Sequence, residues 1–289
     1  MIFNLGSINA DLFYRVPHLP KPGETLASDS YDKGLGGKGA NMSVAAARAA
    51  SRVVHIGAVG EDGRWAKDRL IEYGVDTRHI DVADVPTGHA IIIVDDSGEN
   101  QIVLFPGANA ALGEGAVTAA LAEAGKDDWL LMQNETSLQG FTAALARQKG
   151  MRVAYAAAPF DAAAVEAVLP HVDLLVLNAV EAAQLSEAMG KDLRDLDVAD
   201  IVVTLGGDGC RHISTSRAET VNYPAFDVKA VDATGAGDTF TGYLLAGLDR
   251  GMPMAQAITR AQKAAAIMVT RHGTADVIPD LKDLEETRF

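Results

Sequence analysis

Three features of the sequence predict an α/β fold built on a mostly parallel sheet. Short apolar runs without alternation recur along the chain, which is the pattern of strands buried on both faces. Through most of the sequence these runs alternate with alanine-rich segments of helical periodicity, as in repeated βα units. Only two stretches, about residues 10–35 and 86–107, break that rhythm. The chain has 289 residues, 48% of them hydrophobic, enough for one large domain with a substantial core.

In chain order, "GSINAD" (residues 6–11) closes a first apolar run, and "GLGGKGANMSVAAARAA" (34–50) passes from a glycine loop into a helix. "RVVHIGAVG" is a strand before the helix "GRWAKDRLIEYG". "WLLMQNE" precedes "LQGFTAALARQKG", "RVAYAAAP" precedes "DAAAVEAVLP", "DLLVLN" precedes "AVEAAQLSEAMG", and "DIVVTLGG" follows. Ligands of such sheets bind beyond the carboxyl ends of the strands, where Glu135, Asn178 and Gly206 fall. In the second irregular stretch, "TGHAIIIVDDSGENQIVLFPG" reads as two strands joined by "DSGEN". With the first irregular stretch it predicts a small β appendage, assembled where the chain leaves the main domain twice. No repeat or low-complexity linker interrupts the single domain, residues 1–289.

Charge narrows the partners. Lys and Arg total 25 against 39 Asp and Glu, a net −14, the wrong sign for nucleic acid or an anionic membrane. A phosphate ligand must therefore be held locally, by backbone N–H groups, single cations or metal. Cys210 is the only cysteine, which excludes an intrachain disulfide and a cysteine metal cluster and suits a reducing cytoplasm. No stretch approaches the ~18 apolar residues of a membrane span, and "MIFNLGSINADLF" lacks a leader pattern, so a soluble, unprocessed protein is expected.

Four stretches carry candidate chemistry. In "DATGAGDTF" (232–240), Gly235, Ala236 and Gly237 lead into a helix with Asp238 in its first turn. Free N–H groups and the positive helix end make an anion site, although a glycine turn followed by an acidic first turn is also ordinary helix-start chemistry. In the second, Gly34, Gly36, Gly37 and Gly39 leave the backbone open, Lys38 adds a cation and Asn41 begins the helix. The Walker spacing is absent, because Gly39 and not Ser or Thr follows Lys38. Asn9 and Asp11, two apart, share one strand face and suit a polyol, or else form a turn. Asn178 and Glu181 stand one helical turn apart, able to reach a phosphate-bound Mg²⁺. Thr204, Gly206, Gly207 and Gly209 either let a flat base approach the backbone or make a hairpin turn. The seven histidines show no metal spacing.

Taken in order, "GSINAD", "GGKGAN", "LLMQNE", "LNAVE", "TLGGDG" and "DATGAGDTFTG", with "PGETL" and "FPGANAAL" between them, resemble the ribokinase branch of the phosphofructokinase-B family of sugar kinases over essentially the whole chain. The resemblance implies a ribokinase-like three-layer α/β/α sandwich with a mostly parallel sheet and a small β-sheet lid over the sugar. It makes Asp238 the base that deprotonates the sugar hydroxyl, and Gly235, Ala236 and Gly237 the anion hole for the moving phosphoryl group. Asn9, Asp11, Gly37, Asn41 and Glu135 would hold the sugar, with Lys38 near the sugar or the transferred phosphate and Asp238 completing the pocket. Thr204, Gly206 and Gly209 would bind ATP together with Asn178 and Glu181, the latter reaching Mg²⁺ directly or through water. K⁺ would be ligated by Asp232 and by backbone carbonyls near Thr234, Met268 and Gly273.

Two departures from the family pattern stand out. The span between "LSEAMGKD" and "DIVVTLGG" is short, which implies a trimmed helix near the nucleotide. Asp276 and Val277 stand where a proline and a hydroxyl residue are usual, which removes one K⁺ ligand unless the Asp276 carboxylate turns inward. The expected activity is transfer from ATP to the 5-hydroxyl of D-ribose. The alternatives are a kinase for another sugar or a nucleoside, and, more remotely, a silent sugar sensor. A homodimer through the lid edges is expected from the same resemblance.

Overall fold

A computed structural model describes residues 1–289. Nine strands form the main sheet: β1 (Ile2–Leu5), β4 (Val53–Gly60), β5 (Asp76–Ala83), β8 (Trp129–Gln133), β9 (Arg152–Ala156), β10 (Leu174–Asn178), β11 (Asp200–Thr204), β12 (Cys210–Ser214) and β13 (Glu219–Tyr223). Their spatial order is β13-β12-β11-β10-β9-β8-β1-β4-β5. All neighbouring pairs are parallel except β11–β12 and β12–β13. Every residue of β1, β4 and β8 is buried, which is why these strands read as unbroken apolar runs.

Because successive side chains point to opposite faces, one strand feeds two cores. Ile2 and Leu131 enter one cluster with helices α1 (Lys38–Arg48), α2 (Arg64–Glu72), α7 (Ala236–Asp249) and α8 (Met254–Met268), as does Leu284 of α9 (Leu281–Glu286). Phe3, Leu5 and Leu130 enter the other, with α3 (Glu114–Leu121), α4 (Gln139–Gln148), α5 (Ala162–Val168) and α6 (Ala179–Met189). The result is the expected α/β/α sandwich. No helix is long and apolar enough to cross a membrane.

A separate four-stranded sheet has the order β3-β2-β6-β7, from β2 (Asn9–Val16), β3 (Ser30–Gly36), β6 (Gly88–Asp95) and β7 (Asn100–Phe105). The β6–β7 turn is pinned by Asp95, whose Oδ1 accepts from the N–H groups of Ser97 (2.9 Å) and Glu99 (3.1 Å). Asn100, placed in that turn from sequence, is already in β7. After α6, Gly190 stops the helix at φ 62° and only the 3₁₀ turn Leu193–Asp195 precedes β11. The short span therefore holds no further α-helix.

Two helices of the first core layer, α1 and α7, meet closely. A Cβ on Gly242 of α7 would lie 2.5 Å from Ala45 Cβ and 2.6 Å from the Met42 carbonyl oxygen of α1, so only glycine allows the observed approach. Gly242→Ala is expected to cost about 1–3 kcal/mol through overpacking. A urea midpoint equal to that of the wild type would show that the helices yield without strain.

Candidate active site

The chain leaves β1 through Gly6 and Ser7 and enters the lid at Asn9. Gly37, at φ 91°, ends the preceding loop where a Cβ would lie 2.9 Å from both the Asn9 nitrogen and the Ser7 oxygen. That conformation and that closeness both require glycine. The first turn of α1 is thereby pressed against the segment leading into β2, with the Ala40 N–H donating to the Ser7 oxygen (2.8 Å) and the Lys38 charge acting on Asp11. Asn9 and Asp11 open β2 on one strand face and are 4% and 7% exposed. They therefore belong to a strand and not to a turn. A Cβ at Gly36 would overlap the Asp11 carboxylate, which lies flat against that glycine.

At the other side of the cleft, Gly235 takes φ 73° as N-cap of α7, and a Cβ there would lie 2.8 Å from Met268 Cε. The N–H groups of Gly237 and Asp238 have no acceptor within the chain, so the positive end of a 14-residue helix opens into the cleft. Asn41 Nδ2 donates to Asp238 Oδ2 at 2.9 Å, a direct bond between the two glycine-rich motifs across 197 residues of sequence. Asn41 Oδ1 is buried without a partner. A buried acceptor left unpaired is costly unless a ligand donor meets it.

The electrostatics are concentrated on four groups. Burial raises the Asp11 carboxyl to about 7, reinforced by Glu135 and Asp238 and opposed by Lys38. Glu135 is also raised, chiefly by burial, although Ser7 and Lys38 favour its charged form. Asp238 is the largest influence on Lys38 and holds its ammonium above the usual lysine range against the effect of burial. Three carboxylates thus converge on one buried cation, a cluster short of positive charge and rich in acceptors.

Beyond α7's first turn lies a cavity of about 480 Å³. Thr204, Gly206 and Gly209 line it from the β11–β12 hairpin, and Ala236 and Gly237 line its inner end. The hairpin is a true turn, Gly206–Asp208, with Gly209 at φ 96°, and its glycines also line the cavity. Asn178 and Glu181 do not line the cavity. They form a reciprocal capping box at the start of α6: Asn178 N–H donates to Glu181 Oε2 (2.7 Å), and Glu181 N–H to Asn178 Oδ1 (2.9 Å). Glu181 still responds to Lys38 and Asp238, its carboxyl raised mainly by burial.

A profile of the pfkB family carbohydrate kinases matches residues 1–281 of this chain. The chain belongs to that family. It is a sugar kinase, transferring a phosphoryl group to a hydroxyl. The kinase is 37% identical over 297 residues to the ribokinase of Haemophilus influenzae, covering 98% of this chain and 96% of that relative. It is similar in structure to the ribokinase of Cryptococcus neoformans var. grubii in complex with ADP (TM-score 0.84, 33% identity, 99% and 98% of the two chains). The Arabidopsis thaliana ribokinase complexed with ribose and ATP is likewise similar (TM-score 0.87, 26% identity, 99% and 97%).

In the kinase, the residues expected around K⁺ form a compact loop pair. Asp232 accepts from Thr234 N–H (2.9 Å) and Gly273 N–H (3.3 Å), and its own N–H reaches the Val269 oxygen (3.1 Å). The Met268 oxygen accepts from Arg271 N–H. Gly273, at φ 123°, carries the Val277 side chain against it. Asp276 does not turn inward. It is exposed, ion-paired to Arg69 and bonded to the Tyr73 hydroxyl, while Arg48 grips the Asp276 and Ile278 carbonyls. The inward Asp276 ligand is therefore excluded in this structure, because two cationic or hydroxylic partners on α2 and beside it hold the carboxylate outside.

Two residues of the kinase's cleft escaped the sequence reading. Ser7 donates to Glu135 Oε2 (2.5 Å) and accepts from Gly39 N–H (3.2 Å), joining β1, β8 and α1. Asn109 donates to Asn9 Oδ1 (2.8 Å) and accepts from Ile8 N–H (2.9 Å), which fixes the Asn9 amide. Both lie inside quoted motifs, "GSINAD" and "FPGANAAL", but nothing in spacing alone shows a serine or an asparagine meeting a partner 100 or more residues away.

Proposed function

We propose that the chain transfers the γ-phosphoryl group of ATP to the 5-hydroxyl of D-ribose, with Asp238 as general base. The observation that carries this reading is the Asn41–Asp238 bond at the open N-terminus of α7. It sets a carboxylate beside unpaired N–H donors, with Asp11, Lys38 and Glu135 on one side and the 480 Å³ cavity on the other. Phosphoryl transfer depends mostly on positioning and on stabilising charge, so an in-line base next to oriented N–H groups is the useful arrangement. Asp238 takes the hydroxyl proton as the oxygen attacks phosphorus. Gly235 and Gly237, whose N–H groups are unpaired, receive the equatorial charge, whereas the Ala236 N–H reaches the Ala233 oxygen (3.2 Å) and holds the turn, and Lys38 adds the one cationic side chain.

Asp11 and Asn9 on the lid accept and donate to the sugar hydroxyls, with Asn41, Gly37 and Glu135 closing the pocket from the body. The nucleotide occupies the cavity against Thr204, Gly206 and Gly209. A single carboxylate suits Mg²⁺, which keeps waters and leans on phosphate oxygens. Glu181, with one oxygen free of the capping box, would hold it through water while Asn178 orients that helix end. Bound there with ATP, the ion would neutralise phosphate charge. Phosphorus and carbon NMR of the product test the regiochemistry. Ribose 5-phosphate is expected, and a 1-phosphate would refute the placement of the sugar.

K⁺ at Asp232 and the carbonyls of Thr234, Met268 and Gly273 would order the glycine turn. Val277 offers no oxygen and Asp276 is held outside, so the shell is one protein ligand short, which weakens binding of a hard cation. Half-maximal activation should then require more K⁺ than in Val277→Ser. Identical curves at constant ionic strength would remove Val277 from the argument. The lid's exposed β7, with Ile102 at 57% and Val103 at 64%, supports the proposal of a lid-to-lid homodimer. The lone, buried Cys210 is consistent with a cytoplasmic setting.

A further inference from the structure

Beneath the sugar side of the cleft lies a buried polar chain whose members were given no role by the sequence. Asn4, Ser43, His55 and Gln133 are all 0% exposed, on β1, α1, β4 and β8. One proton assignment satisfies their mutual bonds. Gln133 Nε2 donates to Asn4 Oδ1 (2.8 Å), and Asn4 Nδ2 donates to the Gly39 oxygen (2.8 Å) and to Ser43 Oγ (2.8 Å). Ser43 Oγ then donates to His55 Nδ1 (2.8 Å), and His55 Nε2 to the Gly6 oxygen (3.0 Å). The carbonyl at Nε2 fixes that tautomer.

The two backbone carbonyls bonded by this chain, at Asn4 and at His55, belong to glycines in contact: a Cβ on Gly6 would lie 2.6 Å from Gly39 Cα. Gly39 stands between Lys38 and Asn41. Gly6 precedes Ser7, which bonds Glu135, and Gln133 lies two residues before Glu135. Each segment that carries a sugar-side group is thus tied to the same buried chain, and β4, a fully buried strand, supplies the fixed post. Apolar residues would fill this volume with no desolvation cost. Gln133 Oε1 at the head of the chain is buried without a partner, while the bonds from Asn4 through Ser43 and His55 to Gly6 are all made. A connected buried network of this kind specifies one geometry where an apolar core would tolerate several.

We propose that His55, acting through Ser43 and Gly6, is a positioning residue that sets the first turn of α1 against β1 and so places Lys38 and Asn41 for sugar binding and transfer. The functional half of this inference rests on the sugar-kinase reading above. The imidazole serves as a neutral acceptor–donor, and its complete burial, which lowers it to about 4, keeps it so at neutral pH.

The test uses His55→Phe, Ser43→Ala and the double variant in the full chain. Hydrogen exchange of the sugar-free proteins should be about tenfold faster across residues 37–43 in each single variant and unchanged in α8. KM for ribose should rise about tenfold, the size of one missing hydrogen bond, with KM for ATP within about twofold. The double variant should be no worse than the worse single one, since both break the same bond. Ser43→Ala, the smaller change, carries the test if His55→Phe does not fold. Wild-type exchange at 37–43, or equal rises in both KM values, would overturn the assignment. Faster exchange at 37–43 in an enzyme whose wild type is inert on ribose would support the positioning role and refute the substrate.

Discussion

Asp238→Asn should lower kcat by at least about 10², the lower range of a general-base contribution, with little change in KM for the sugar or in Tm. The amide is nearly isosteric, and its oxygen can still accept from Asn41 Nδ2, so the α1–α7 contact survives. It cannot take the proton. Steady-state rates at saturating ATP decide the point: a variant retaining about half of wild-type kcat would remove Asp238 from the base role and leave only its electrostatic effect on Lys38.

The second large effect belongs to Asp11. Asp11→Asn should raise KM for the sugar roughly ten- to hundredfold, with KM for ATP nearly unchanged, because hydrogen bonds to a charged group are worth about 1.5–3 kcal/mol. The same substitution should stabilise the empty protein. Burial holds the Asp11 carboxyl at about 7 in the folded chain, well above the unfolded value near 4. Between those values the folded state binds the extra proton, so this group's contribution to stability is full at low pH and is lost as pH rises towards 7. Asparagine mimics the protonated form. The Tm of Asp11→Asn should therefore exceed that of the wild type at pH 8, and the gap should narrow at pH 5. In the wild type, sugar KM should rise as pH falls below about 7, whereas in the variant that dependence should vanish. A Tm gap independent of pH would show that Asp11 is not a buried, strained carboxylate.

Much of the scaffold was legible because its signals are local. Runs such as "VVHIGAVG" and "LLVLN" are apolar on both faces because helices cover both faces of the sheet, and period and composition report that directly. The glycines of "GLGGKGAN" and "GAGD" were readable as openings in the backbone. Their necessity at Gly37 and Gly235 comes from neighbours far away in sequence, the Ser7–Asn9 segment and Met268. Asn178 and Glu181 illustrate the opposite case. Their spacing of three residues fits a ligand pair, but it is also the spacing of a capping box, and the structure shows that box. Asp276 faces outward because Arg69 and Tyr73 on or beside α2 reach it across about two hundred residues, a pairing no local pattern carries. The buried chain through His55 was invisible for the same reason: an isolated histidine within an apolar strand has no spacing to read.

The identity of the acceptor that receives the phosphoryl group is the decisive property of this kinase. Initial rates of ADP release, measured on the purified full chain with ATP and Mg²⁺ against D-ribose, 2-deoxyribose, fructose, fructose 6-phosphate and adenosine, give kcat/KM for each. With Asp11, Asn9 and Glu135 holding a small polyol, as proposed, the highest value is expected for D-ribose. For 2-deoxyribose it should be lower by about tenfold or more, because that sugar leaves a buried polar group of the pocket without its hydroxyl partner. A higher kcat/KM for adenosine or for a hexose than for D-ribose, or ADP release that no sugar stimulates, would contradict that proposal.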